Sequence, residues 1–213
     1  MKSLKRIALL TIFIGSVFAQ TVYELPFASE GNVIELSVAN TSDQENFTGK
    51  IEINSQPGWI KFSQNNYSFD EILSGEESTA VFEFDVDEEA PVNNEAEIVF
   101  GILGKDNQQW QKTIKVTVLP PDNFELFQNY PNPFNPSTII SYQLPEEGKV
   151  TLKIYNILGE QVKELVNETK KPGLHKVNWN ASNLASGMYV YSIYAELNNG
   201  EKQLQKKKML LVK

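Results

Sequence analysis

Groups able to do chemistry are few in this chain and unevenly placed. Of 213 residues none is cysteine and one is histidine, His175. Residues 20–119 therefore cannot assemble a Ser–His–Asp or Cys–His nucleophile, or a zinc site of His and Cys. Carboxylates remain: residues 20–121 hold 18 Asp and Glu against 5 Lys. Within them Asp85-Val86-Asp87-Glu88-Glu89, with Asp43 and Glu45 as neighbours in space, would offer oxygen ligands to calcium. The DxDxDG loop spacing is absent, and the plainer reading is a solvated acidic face. Paired carboxylates would also suit glycoside hydrolysis, but a sandwich of about 100 residues leaves little room for a substrate cleft. No catalytic residue, cofactor or metal site is assigned, and a small carboxylate-based hydrolase stays the remote alternative.

Two further sets of residues stand out. Trp59, Tyr67 and Trp110 are large aromatics in the acidic stretch. They would serve as a platform for sugar rings, as in a carbohydrate-binding accessory module, or as core and turn packing, since aromatics carry much of a small sandwich's burial. Lys206, Lys207 and Lys208 crowd the end of the sequence, with Lys213 last. Lysines on a terminal strand protect an edge from unwanted pairing and also leave that edge open for a receptor.

The elements that must position these groups are strands. Ile34, Leu36 and Val38 alternate with polar residues, and so do Ile51 and Ile53. The alternation continues through Ala80, Phe82, Phe84 and Val86, then Ala96–Ile102, then Ile114–Val118. Period-two alternation with one charged face marks half-buried strands. Turn clusters such as Ser55-Gln56-Pro57-Gly58 and Ala90-Pro91-Val92-Asn93-Asn94 separate them, as in an immunoglobulin-like sandwich. Leu119-Pro120-Pro121-Asp122-Asn123 interrupts the pattern, and consecutive prolines stiffen the chain as at a domain boundary. Alternation resumes at Ile140–Leu144, Val150–Ile154, Glu160–Val166, Val177–Trp179, Tyr189–Ile193 and Gln203–Val212. The reading is all-β: two small Ig-like sandwiches in tandem, residues 20–119 and 124–213, joined by a Pro-rich linker at 120–123.

Ahead of them, residues 1–19 carry Lys2, Lys5 and Arg6, then an apolar run from Ile7 to Phe18, and end at Val17-Phe18-Ala19. This is the layout of a secretory signal peptide cleaved between Ala19 and Gln20. The run falls short of the ~20 apolar residues a membrane helix needs, and no transmembrane segment is expected in the mature chain. Charge is partitioned as well. Residues 20–121 are strongly acidic, whereas residues 122–213 hold 11 Lys against 9 acids. The formal charge of −8 argues against nucleic acid as a partner, because phosphate binding needs a basic surface.

Three ordered motifs in the second unit carry a resemblance. They are Tyr130-Pro131-Asn132-Pro133, Tyr155-Asn156-Ile157-Leu158-Gly159 and Gly187-Met188-Tyr189, followed by the lysine-rich strand. In type, order and spacing, residues 124–213 closely resemble the type A C-terminal sorting domain of type IX secretion substrates. They are similar also to the Ig-like domain of flagellar hook-capping proteins. The resemblance implies that the chain reaches the periplasm, docks on the type IX outer-membrane translocon through this domain, and ends secreted or on the outer-membrane surface. It implies too that a sortase-like cysteine protease removes the domain, and that the product is released or attached to surface lipopolysaccharide. The sorting residues it implies are Tyr130, Pro131, Asn132, Pro133, Gly159, Gly187, Tyr189, Lys206, Lys207, Lys208 and Lys213.

Residues 57–102, with their Pro-Gly-Trp, Ser-Gly-Glu and Ala-Pro turns, look like the NEW3-type Ig-like modules attached to glycosidases and surface proteins. That resemblance concerns fold more than function. The expectation is a non-catalytic exported protein whose Ig-like cargo is a spacer or adhesive module, with glycans as its possible partner class.

Overall fold

The computed structural model describes residues 6–12, 22–105 and 108–213. The expected signal-peptide cleavage at Ala19–Gln20 lies outside the described residues. The chain divides into two compact units between Leu119 and Pro120. Among the described residues no helix is long and apolar enough to cross a membrane.

The first unit is a two-sheet sandwich. One sheet runs in the order β1 (Arg6–Ile12), β3 (Asn32–Ala39), β7 (Glu77–Val86), β5 (Ile60–Phe62). The other runs β2 (Val22–Leu25), β9 (Gln109–Val118), β8 (Glu95–Gly104), β4 (Phe47–Ser55), β6 (Asn66–Ile72). β7 shows why the sequence folds this way. Ala80, Phe82, Phe84 and Val86 are buried while Val81, Glu83 and Asp85 face water, so a one-residue slip would exchange core and surface. Phe62 and Phe82 both meet Phe100 from the opposite sheet, with centroids 6.1 and 5.2 Å away. Burying each such ring is worth about 1.5–3 kcal/mol.

The second unit is also a two-sheet sandwich. β10 (Glu125–Leu126), β11 (Ser137–Leu144) and β14 (Gly173–Asn180) form one sheet in that order. The other runs β13 (Gln161–Lys170), β12 (Gly148–Tyr155), β15 (Gly187–Leu197), β16 (Lys202–Leu211). Ile140, Tyr142 and Leu144 from the first sheet and Leu152, Ile154, Tyr191 and Ile193 from the second are wholly buried between them. The all-β sandwich expectation holds. Alternation found the central strands, whereas β2, β5, β6 and β10 carry too little of it to be seen from sequence.

Candidate docking site

The three motifs of the second unit, far apart in sequence, meet at one end of its sandwich. β12 pairs antiparallel with β15, placing Tyr155 opposite Val190. β15 pairs antiparallel with β16, placing Met188 opposite Leu210. The Asn156–Gly159 turn, the Gly187–Tyr189 segment and the last residues of the chain therefore share that end. The proline-rich segment is tied to the same place. Asn132 Oδ1 accepts the Leu210 N–H at 2.9 Å, Phe134 N–H donates to the Leu210 carbonyl at 3.0 Å, and Val212 N–H donates to the Phe134 carbonyl at 3.0 Å.

A buried polar knot holds the proline segment in place. Asn129 is 2% exposed, and its Nδ2 donates to the Pro131 carbonyl at 3.0 Å and to Thr138 Oγ1 at 2.9 Å. Thr138 Oγ1 donates in turn to the Pro131 carbonyl at 2.9 Å. Asn129 N–H donates to Tyr191 Oη, and that hydroxyl donates to the Phe127 carbonyl at 2.8 Å. Burial pushes the Tyr191 phenol up to about 12, against the smaller opposing effect of the Asn129 N–H, so the hydroxyl stays protonated and able to donate. Satisfying every buried polar atom in this way is what makes such a network rigid rather than costly. Pro131 and Pro133, both preceded by cis peptide bonds, bring no N–H that would need a partner.

With its backbone clamped, the segment turns its first side chain outward. Tyr130 exchanges 2.9 Å backbone hydrogen bonds with Ile139, yet Tyr130 is 80% exposed. The central motif behaves alike. Asn156 Oδ1 accepts both the Leu158 and Glu160 N–H groups at 3.0 Å, and Gly159 adopts φ 83°, a left-handed conformation that glycine enters without steric cost. The turn is rigidly built, and its tip presents Ile157 at 75% and Leu158 at 78% exposure. Tyr189, by contrast, is buried: its hydroxyl donates to the Ala185 carbonyl at 2.8 Å and its ring meets Trp179 edge-on at 6.0 Å. Gly187 begins β15 opposite Leu211.

The terminal lysines do not act as one cluster. Along β16 the pleat turns Lys206 and Lys208 to solvent while Lys207 lies half-buried on the other face. Lys213 is pinned beyond the strand, its N–H to Ser186 Oγ at 3.1 Å and its Nζ to the Ser182 carbonyl at 2.6 Å. The outer edge of that strand is open only in part. From Lys208 to Val212 the outer edge of β16 is covered by the proline segment, with Gln128 Nε2 donating to the Lys208 carbonyl at 2.9 Å. Sequence reading missed Gln128, Asn129, Thr138, Phe134 and Tyr191. Only the run of polar side chains beside the prolines hinted at them.

The candidates of the first unit are dispersed. Trp59 and Trp110 stand at opposite ends of the sandwich. The Trp59 carbonyl accepts Asp87 N–H just past the end of β7, whereas Trp110 neighbours Val38–Ser42 at the end of β3, which runs antiparallel to β7. Tyr67 is the second residue of β6, opposite Ile51, and packs on Phe69 at 5.2 Å. All three are half-buried against the core, so they form no shared platform. Asp43 and Glu45 likewise lie at the far end from Asp85 and Asp87. Asp85 Oδ1 accepts the Gly31 N–H, and Asp87 pairs with Lys61 at 2.7 Å. Among the described residues no group of three or more His, Asp or Glu side chains is placed to hold a metal ion. His175 is a strand residue of β14. Its ring stacks on Tyr142 at 5.1 Å and its Nε2 lies 2.8 Å from the Lys171 carbonyl.

Comparison with known proteins adds one family. Residues 128–210 match the secretion system C-terminal sorting domain, a span containing all three motifs. The second unit therefore carries a type IX sorting domain, and the chain is exported across the outer membrane to the cell surface or the medium. No curated protein matches. Among solved structures, CopC from Methylosinus trichosporium aligns at 18% identity over 42% of this chain and 93% of that one, with TM-score 0.32. Dimeric latent PorU from Porphyromonas gingivalis aligns at 13% identity over 94% of this chain and 20% of that one, with TM-score 0.36. The calcium-binding domain CBD12 of CALX1.1 aligns at 12% identity over 84% of this chain and 79% of that one, with TM-score 0.36. At these scores the structural likenesses carry no argument.

Proposed function

We propose that this protein is non-catalytic cargo of the type IX pathway, and that the motif end of its second unit is the surface by which the outer-membrane translocon takes it up. The observation that carries this reading is the exposure of Tyr130, Ile157 and Leu158 on turns whose backbones are fixed by hydrogen bonds. Exposed apolar side chains gathered at one end of a sandwich, rather than scattered singly, mark an interaction site. The leader, residues 1–19, takes the chain to the periplasm, and its removal there takes β1 away and leaves β3 as the edge of that sheet. A sortase-like cysteine protease then cuts in the linker, and the first unit remains outside as a spacer or adhesive module, released or attached to surface lipopolysaccharide. Composition supports the non-catalytic part. Past Arg6 the chain has no Arg, no Cys, and a single His, which stacks on a tyrosine in the sorting unit.

The test is localisation of the full chain, with an epitope tag after Gln20, in hosts with and without a working type IX translocon. Export to the surface or medium is expected only with the translocon, and retention in the periplasm for the Ile157→Asp/Leu158→Asp variant. Export that ignores the translocon, or a double variant exported as well as wild type, would refute the docking assignment.

A further inference from the structure

The end of the first sandwich away from Trp59 holds a built cavity. Phe47 opens β4, and its ring lies across Gly49 and Gly104, which face each other in the β4–β8 register. A Cβ on Gly49 would come within 2.6 Å of that ring, and one on Gly104 within 2.9 Å of it and 3.2 Å of the Trp110 indole. Two opposed glycines thus let an aromatic ring settle onto the sheet backbone, where it meets Trp110 edge-on at 6.0 Å. Beside this pair is a cavity of about 240 Å³ with apolar walls from Val38, Phe47, Ile102 and Trp110. Asn40, Ser42 and Gln108 supply polar groups at its border, and its lining includes no charged side chain among the described residues. A second cavity of about 190 Å³ shares Asn40, Ser42, Phe47 and Gln108, and adds the polar Asn46 and Thr48 together with one acid, Glu45, and one cation, Lys105. The frame is fixed in advance. Asn40, 8% exposed, donates from Nδ2 to the Glu45 carbonyl at 2.8 Å and the Ile72 carbonyl at 3.0 Å, and its Oδ1 accepts Ser42 N–H.

We propose that these two contiguous cavities bind the end of a neutral saccharide chain, one ring against Trp110 and Phe47 and the next among the amides and hydroxyls. The first cavity is below the roughly 300–1,000 Å³ of drug-sized pockets, which suits one six-membered ring. An aromatic wall takes the apolar C–H face of a pyranose, and uncharged amide and hydroxyl groups answer its hydroxyls. A purely aliphatic ligand would cover the Gln108 amide without giving it a partner, which is costly. An anionic ligand would find the one cation of the second cavity's lining, Lys105, countered by Glu45 in the same lining, no arginine, and a unit with 18 acids against 5 lysines between residues 20 and 121. Because the frame is preformed, binding avoids most of the ordering cost. The site belongs to the first unit alone, so it stands or falls independently of the export route.

The test is titration calorimetry on the purified full chain. The probes are neutral hexasaccharides of β-1,4-glucose, β-1,3-glucose, α-1,4-glucose, xylose and mannose, with hexagalacturonate as the anionic comparison. At least one neutral probe should bind, Trp110→Ala should weaken it by about tenfold or more, Gln108→Ala should weaken it measurably, and Trp59→Ala should leave it unchanged. Gln108 is exposed, so its variant folds and decides the matter if Trp110→Ala lowers thermal stability. Failure of every neutral probe, binding of the galacturonate alone, or wild-type affinity in the Gln108→Ala chain would overturn the proposal.

Discussion

The side-chain carbonyl of Asn132 accepts the backbone N–H of Leu210 at 2.9 Å, across 78 residues of sequence. With the Phe134 bonds on either side, it makes the proline-rich segment the cover of the last strand's outer edge. An uncovered edge strand is a template for pairing with any other chain, a hazard for a protein exported across the outer membrane. The same contact brings the prolines to the end of the sandwich where the β12–β15–β16 pairing already sets the Asn156–Gly159 turn beside the chain's last residues.

Removing that contact should loosen the edge without unfolding the unit. In Asn132→Ala the Leu210 amide is expected to lose hydrogen-exchange protection, with a stability loss of about 1 kcal/mol. Unchanged protection at Leu210 would show that the Phe134 bonds suffice.

The buried knot should cost more. Asn129→Ala leaves the Pro131 carbonyl with one fewer donor and vacates a fully buried position, so a loss of about 2–4 kcal/mol is expected from the unmade hydrogen bonds and the hole together. Urea unfolding followed by Trp179 emission, with Trp59 and Trp110 replaced by Phe, reports the second unit. A shift of the midpoint no larger than that of Asn132→Ala would count against the knot as the main anchor.

At the turn tip the expected effects separate stability from function. Gly159→Ala forces an alanine to φ 83° at a position where an added Cβ meets nothing within 4 Å. The cost is therefore conformational, about 1–2 kcal/mol, and Gly159→Asn should recover part of it. Ile157→Asp and Leu158→Asp, on exposed side chains, should stay within about 0.5 kcal/mol of wild type while reducing export. Thermal melting and secretion assays on the same variants would distinguish the two.

Acid should weaken the second unit through His175. Burial beside Tyr142 lowers its pKa below the usual 6.5, with Lys170 adding to the shift, while the Lys171 carbonyl and Glu168 oppose it. A histidine whose folded pKa is depressed binds protons more readily when unfolded. Its contribution is therefore whole above about pH 6.5 and is lost as pH falls through the folded value. The urea midpoint of the second unit should drop between pH 7.5 and pH 5.5, and His175→Gln should flatten that slope. An equal slope in the variant would place the acid sensitivity elsewhere.

Processing should fall within a narrow window. In the linker Pro121 is buried, and the exposed residues are Asp122 and Asn123, the latter with its carbonyl engaged by Gln143 Nε2 at 3.1 Å. Proteases need accessible extended backbone, so the surface product should end between residues 120 and 124 when read by mass spectrometry. A surface product that retains residues 125–213 would argue against cleavage.

Sequence by itself determined the local pattern. Alternation at Ala80–Val86 and Ile140–Leu144 fixes which face of each strand is dry, because successive side chains on a strand point to opposite faces. The tandem prolines at 120 and 121 mark the division, and the three motifs announce the sorting unit. Tertiary structure decided everything that depends on which strands are neighbours and in what register. The antiparallel pairing of β3 with β7 sends Trp59 and Trp110 to opposite ends, and the pleat of β16 separates Lys207 from Lys206 and Lys208. The packing of the proline segment onto β16 hides the last part of an edge that its lysines alone would leave open. Asn129 is in sequence only a polar residue two positions before a proline, and its meaning rests on Tyr191, 62 positions away. Period and composition are properties of a short window of chain, whereas a shared end, a covered edge or a cavity between two sheets arises from contacts distant in sequence.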